Sequence, residues 1–84
     1  KPRPDVAVIL RQALLAYRSV SQVHFLRRSW MGQGIYALLR EAGFAHSRAR
    51  AANVMAYRVA RQWRREGIEP SDADLAAEVK RLMV

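Results

Sequence analysis

Apolar residues return every three or four positions in several segments of this 84-residue chain, the spacing expected of helices with one buried side. The first segment runs from Asp5 to Val20, with Pro4 or Asp5 placed to open the helix. Its apolar side holds Val6, Ile9, Leu10, Ala13 and Tyr17. Val8 and Leu15 lie opposite that side, so this helix is predicted either to be central or to cover a partner.

The longest segment without Gly or Pro runs from Ser47 to Arg65. Its predicted core-facing stripe consists of Ala52, Met55, Ala56, Val59 and Trp63. Ser47 is placed to cap the start of this helix, and Gly67 is placed to end it. The pattern therefore predicts one long amphipathic helix, around which the rest of the chain is organised.

Shorter segments lie between these two helices. Gln22 to Arg28 has the spacing of a short helix, and Trp30 to Gly34 is predicted to be a loop because its two glycines weaken a helix by about 1 kcal/mol each. Helical spacing resumes from Ile35 to Ala42, and Gly43 stands where a helix commonly ends.

The last helix is predicted over Asp72 to Leu82, with Leu75, Val79 and Leu82 on its apolar side. Ser71 and Asp74 resemble a capping box in which Asp replaces the usual Glu. No segment alternates apolar and polar residues as a strand does. Residues 1–84 are therefore predicted to form a single small all-α domain, a compact bundle of four to five helices.

Composition narrows the function classes. An apolar fraction of 51 % argues against disorder, and no apolar run approaches the roughly 18 residues of a membrane span. The chain has no cysteine, its two histidines are isolated, and its Gly32-x-Gly34 segment lacks the rest of a phosphate-binding loop. We therefore expect no enzyme activity, no metal and no cofactor. A cytoplasmic protein is expected, and because the first residue is Lys1 rather than Met, a domain from a longer protein is a further expectation.

The charge is large and unevenly placed. The formal net charge is +8, with 15 basic and seven acidic residues. Residues 1–65 hold 13 of the basic residues and two of the acids, whereas residues 66–84 hold five acids and two bases. Thirteen of the 15 cations are Arg, whose planar fork suits phosphates. A polyanionic partner is the function class that this charge favours.

The cations concentrate on the long helix, on the side away from its apolar stripe, and no acid lies between Arg48 and Arg65. Such like charges repel one another at helical spacing, and a phosphate backbone would compensate them. The sequence therefore predicts a nucleic-acid-binding domain, with DNA favoured over RNA because no sheet is available for base stacking. The candidate binding residues are Arg48, Arg50, Asn53, Tyr57, Arg58, Arg61, Arg64 and Arg65.

The segment from Ile35 to Val54 also fits a helix-turn-helix pattern in part, with Gly43 at the turn. In that arrangement Arg48, Arg50 and Asn53, together with Ser47, are the candidates to reach base edges, since Arg binds guanine and Asn binds adenine. The arginines nearer the end of the helix would contact the backbone.

A second function class is open on the same residues. The basic side of the helix would dock an acidic protein partner, or the acidic last helix of another subunit, in an oligomerisation module. A homodimer seam formed by the first helix and the Trp30-Met31 loop belongs to this alternative. A membrane-surface role is disfavoured because the apolar side of the long helix is mostly alanine.

Overall fold

The computed structural model describes residues 5–19 and 34–84, and every regular element in these ranges is an α-helix. The helices are α1 (Val6–Ser19), α2 (Ile35–Glu41), α3 (His46–Glu66) and α4 (Asp72–Leu82). They pack into one compact bundle, which confirms the predicted all-α class. The helix predicted over Gln22 to Arg28 and the loop residues before Gly34 lie outside the described residues.

Helices α1 and α3 form the centre of the bundle, since each contacts all the other helices and the two pack most extensively on one another. Asp5 opens it as predicted, accepting a hydrogen bond from the Ala7 backbone N–H at 2.9 Å. The buried residues of α1 include all but one member of its predicted apolar side and add Leu14. Leu15 packs against the core while Val8 is 49 % exposed, so the second apolar side is only partly buried within the chain.

Helix α3 packs on α1 through a ridge of small side chains, Ala49, Ala52, Ala56 and Ala60. The predicted stripe was therefore wrong at Met55, which is 41 % exposed, whereas Val59 and Trp63 are half-buried and pack against the core. The buried side is turned toward Asn53 and Ala60 because alanines let the two helices approach closely. The amide of Asn53 can join this face because it has a hydrogen-bond partner on α1.

Two glycines end the helices that precede the connections. Gly43 (φ 109°) follows α2, with its N–H donating to Arg40 and the Phe44 N–H donating to Leu39. Gly67 (φ 68°) ends α3 by the same pair of bonds, from Gly67 to Arg64 and from Ile68 to Trp63. Both positions need the left-handed backbone that glycine adopts without strain, and both helix ends confirm their predictions.

The starts of α3 and α4 differ in how their backbone N–H groups are satisfied. Ser71 and Asp74 form the predicted reciprocal capping box of α4, with bonds of 3.1 and 2.9 Å. Ser47 does not cap α3, because the helix begins at His46 and the capping position is Ala45. Ala45 makes no side-chain bond to the helix, so no side chain at the capping position satisfies a backbone N–H of the first turn of α3.

Candidate nucleic-acid interface

The outward side of α3 carries a set of cations opposite its alanine ridge. We define the arginine face as Arg50, Tyr57, Arg58, Arg61 and Arg65. Arg50, Arg58 and Arg65 are exposed, whereas Arg61 and Tyr57 are half-buried. At 1.5 Å per residue, the face extends roughly 22 Å from Arg50 to Arg65 along an α-helix. The predicted basic surface thus lies on one continuous helix.

A shallow depression of about 470 Å³ lies at the C-terminal half of this face. It is lined by Tyr57, Arg58, Arg61, Gln62 and Arg65. Arg65 donates to the Gln62 side-chain oxygen at 2.5 Å, and the Gln62 amide donates to the carboxylate of Glu66. Guanidinium groups around a concave surface are suited to an anion such as a phosphate.

Tyr57 is held in the arginine face by a contact on the core side of its ring. Its ring meets the ring of the buried Tyr17 edge-on, with centroids 5.7 Å apart and planes at 76°. The remaining exposed part of Tyr57 lies between the arginines, where an aromatic ring can pack on a sugar or a base. The contact with Tyr17 fixes the position of this ring, which helical spacing alone does not.

Asn53 does not belong to the arginine face. It is 9 % exposed, and its side-chain oxygen accepts a hydrogen bond from the Tyr17 hydroxyl at 2.5 Å. The amide is therefore part of the α1–α3 packing and is not presented to a base edge. Placing it among the exposed candidates was wrong, because a polar side chain is buried when a partner on another helix satisfies it.

Arg48 lies on another side of α3. Its guanidinium stands 4.7 Å from the centroid of the Phe44 ring and donates to the backbone carbonyl of Met83, after the end of α4. This arginine joins α3 to α4, away from the other candidates. Helical spacing already indicates this position. Arg48 lies seven residues, two turns of the helix, before Met55, so the two side chains share one side of α3.

Arg64 lies at the edge of the face and connects two helices. It donates to the backbone carbonyl of Arg18 at the end of α1, at 3.1 Å. Arg18 in turn donates to the carbonyl of Ile68 at 2.6 Å and pairs with Glu69 at 3.2 Å. These bonds hold the end of α1 against the α3–α4 connection. Arg64 therefore stabilises the packing of the helices as well as adding a positive charge to the surface.

Gln62 is the residue of this surface that the sequence prediction missed. It lies four residues after Arg58 and three before Arg65, and this helical spacing already places it beside both of them. Its amide oxygen accepts from Arg65 and its amide N–H donates to Glu66, so Gln62 positions the side chains at this end of the depression. The prediction followed charge, and Gln62 carries none.

The acidic residues near α4 are paired within the chain. Asp72 pairs with Arg11 at 2.8 Å, Glu69 with Arg18 at 3.2 Å and Glu78 with Arg81 at 2.8 Å. Asp74 accepts the Ser71 backbone N–H in the capping box. By contrast, Arg50 and Arg58 make no ion pair within residues 5–19 and 34–84. Arg50 and Arg58 are therefore less compensated within the described residues than the carboxylates of α4.

The corner between α2 and α3 corresponds to the turn of the predicted helix-turn-helix pair. Four residues, Ala42 to Ala45, join the two helices. The Tyr36 hydroxyl and His46 Nδ1 are 2.6 Å apart, and Arg40 lies 3.4 Å from the same hydroxyl. The corner is closed by these polar contacts as well as by the turn at Gly43.

A metal site and a membrane-spanning helix are both absent from the part of the chain that the structure describes. No group of three His, Asp or Glu side chains there is arranged to hold a metal ion. None of the described helices combines the length and the apolar character needed to pass through a bilayer. His24, the other histidine, lies outside the described ranges.

Comparisons of the chain with protein-family models, curated proteins and solved structures found no match.

Proposed function

We propose that this protein binds nucleic acid, duplex DNA before RNA, by laying the arginine face of α3 along the phosphate backbone. The observation that carries the proposal is the contrast in pairing. The carboxylates around α4 are bonded within the chain, whereas Arg50 and Arg58 are exposed and make no ion pair in the described ranges. A row of phosphates would compensate these cations and release counterions.

The geometry of α3 supports a backbone contact. The arginine face extends roughly 22 Å, while each DNA strand presents a phosphate about every 3.4 Å along the axis, so several phosphates lie within its reach. The depression among Tyr57, Arg58, Arg61, Gln62 and Arg65 offers convergent donors for one of them. An α-helix fits the major groove of DNA but not the narrow major groove of an RNA duplex, which favours DNA.

Recognition of a specific base sequence is the smaller part of this proposed binding. With Asn53 buried and Arg48 engaged with Phe44 and Met83, the base-reaching set near the start of α3 is reduced to Ser47 and Arg50. Arg50 could bind guanine through a bidentate contact if the start of α3 entered the groove as in a helix-turn-helix. We therefore propose strong dependence on salt and weak dependence on sequence, for a protein acting in the cytoplasm.

The pairing contrast also weighs against the alternative function. If the acidic α4 of one molecule docked on the arginine face of another, its carboxylates would have to leave Arg11, Arg18 and Arg81. Such exchange of one ion pair for another yields little net free energy in water. A different acidic protein would not have to break these ion pairs before it bound. Competition between such a protein and DNA for the arginine face would distinguish the two kinds of partner.

The test is fluorescence anisotropy with two unrelated DNA duplexes and one RNA duplex at two salt concentrations. Arg58→Ala with Arg65→Ala should weaken binding to both DNAs and lower the slope of log K against log salt by about 1.8, since each lost phosphate contact contributes about 0.9. The matched control is Arg48→Ala with Arg81→Ala, which removes the same charge from the α3–α4 side. No binding at low salt, or equal weakening by both variants, would contradict the proposal.

A further inference from the structure

An open groove lies between the first turns of α1 and the length of α4, on surfaces that the arginine face does not use. Its volume is about 550 Å³, and its floor is aliphatic, formed by Ala7, Ala76, Val79 and Met83. Met83 is 42 % exposed and Val84 is 93 % exposed, and both line the groove. An apolar groove with apolar residues at its edge is typical of a surface that another element covers.

The charges beside this groove are arranged symmetrically along α4. Asp72 lies four residues before Ala76 and Lys80 lies four residues after it, and both line the groove. Residues four apart share one side of a helix, so a negative and a positive group stand one turn on either side of a small residue. Ala76 is exposed, which leaves the midpoint of this pattern open to close approach.

The two charged groups have capacity for a further partner. The Asp72 side chain is 94 % exposed, and one of its oxygens bonds Arg11 while the other remains available. Lys80 is exposed and makes no ion pair within the described residues. The same segment therefore presents both halves of a salt bridge on one exposed surface.

We propose that this groove is closed by a second copy of the chain, in a dimer whose two α4 helices run antiparallel and cross at Ala76. A two-fold axis at this residue places Asp72 opposite Lys80 of the partner subunit, and Lys80 opposite Asp72 of the partner subunit. Residue-by-residue self-complementarity of this kind is the requirement of a two-fold interface. The aliphatic floor supplies the apolar area, and the two reciprocal ion pairs set the antiparallel direction.

The size of the surface sets the expected affinity. A stable interface of standard size buries about 800 Å² on each partner, and α4 is only about 17 Å long, so the contact falls below that size. The dimer is therefore expected to dissociate in the micromolar range or above. Because the arginine face lies on α3, both copies would keep their DNA-binding surfaces free.

The first experiment measures molar mass by light scattering and sedimentation equilibrium over chain concentrations from about 5 to 500 μM, the range that brackets a weak interface. The wild-type chain should move from one chain to two. Ala76→Arg places like charges at the crossing point and should keep the chain monomeric throughout. Ala51→Arg, on the exposed side of α3, adds the same charge away from the groove and should leave the association unchanged.

A charge exchange tests the antiparallel arrangement itself. Asp72→Lys alone and Lys80→Asp alone each oppose like charges in a homodimer, so each should be monomeric. An equimolar mixture of the two variants should form a heterodimer, because the introduced lysine of one variant then faces the introduced aspartate of the other, and the two unchanged residues form the second pair across the axis. Circular dichroism checks that each variant stays helical, and if Asp72→Lys does not fold, Ala76→Arg and Lys80→Asp still test the surface.

A wild-type chain that stays monomeric at the highest concentration would overturn this proposal, as would a dimer that Ala76→Arg leaves intact. Failure of the mixture to associate, with both variants folded, would overturn the antiparallel pairing. All these measurements are made without nucleic acid. Their outcome is therefore independent of whether the arginine face binds DNA.

Discussion

A buried hydrogen bond from the Tyr17 hydroxyl to the side chain of Asn53 joins α1 to α3. Tyr17 is 1 % exposed and Asn53 is 9 % exposed, and the two lie 36 residues apart on α1 and α3. Tyr57 packs edge-on against Tyr17 on the outer side. This contact therefore links the core to the arginine face, and it explains why an asparagine lies in the interior.

The first prediction concerns this hydroxyl at high pH. Burial raises the pKa of Tyr17 far above its ordinary value of 10.0, against the smaller opposing effect of the Asn53 hydrogen bond. The folded chain thus keeps a proton that the unfolded chain releases above pH 10. The contribution of Tyr17 to stability is complete below that pH and is lost above it, by about 1.4 kcal/mol per pH unit.

Urea unfolding at pH 8 and pH 11 measures this effect. Tyr17→Phe should cost about 1 to 3 kcal/mol at pH 8, because the Asn53 side chain loses a buried partner, and it should reduce the further loss at pH 11. Tyr36→Phe removes a hydroxyl at the α2–α3 corner and should retain the alkaline loss of the wild type. An equal alkaline loss in the wild type and in Tyr17→Phe would show that this hydroxyl is not responsible.

At the scale of the element, α3 depends on small residues on one side and large cations on the other. Ala49, Ala52, Ala56 and Ala60 allow α1 to approach closely, and Gly67 ends the helix with a left-handed backbone. Alanine has the highest helix propensity, so the same residues favour both the helix and its packing. The arginine face lies opposite this packed side, whose buried positions run from Ala49 to Ala60.

The second prediction compares two identical substitutions on this helix. Ala56→Leu adds three carbons at a position that is 0 % exposed and should destabilise the chain by about 1 to 3 kcal/mol through overpacking against α1. Ala51→Leu, at an exposed position, should change stability by less than about 0.5 kcal/mol. Thermal or urea unfolding decides, and equal losses for the two would show that another side of α3 is the buried one.

At the scale of the whole molecule, the net charge of +8 means that the cations repel one another, and a bound polyanion would remove this repulsion. Arg58, Arg61 and Arg65 stand three and four residues apart, a spacing at which like charges destabilise a helix. The acids near α4 are paired with other cations and do not relieve this repulsion. Stability and nucleic-acid binding are therefore expected to oppose each other on this surface.

The third prediction follows from that opposition. Arg58→Glu replaces repulsion toward Arg61 with attraction and should raise the free energy of unfolding by roughly 0.5 to 1 kcal/mol, while it weakens DNA binding. Arg50→Glu makes the same charge change where no other arginine lies three or four residues away. It should weaken DNA binding with little gain in stability. Urea unfolding and anisotropy on the same samples measure both quantities, and a loss of stability in Arg58→Glu would refute the repulsion.

Much of this architecture is local and was therefore readable from the sequence. The capping box of Ser71 and Asp74, the opening of α1 at Asp5 and the helix ends at Gly43 and Gly67 each depend on residues within a few positions of one another. The all-α class followed from helical spacing, and the surplus of cations before Glu66 followed from composition.

What only the tertiary structure decided is the direction in which each side of a helix points and the partner it meets. Asn53 is buried because Tyr17 reaches it from α1, and Arg48 and Arg64 bond backbone carbonyls at the ends of α4 and α1. These partners are 35 to 46 residues away in the chain, so periodicity within α3 could not show them. Helical spacing determines which residues share a side, but the packing of α1 determines which side is buried.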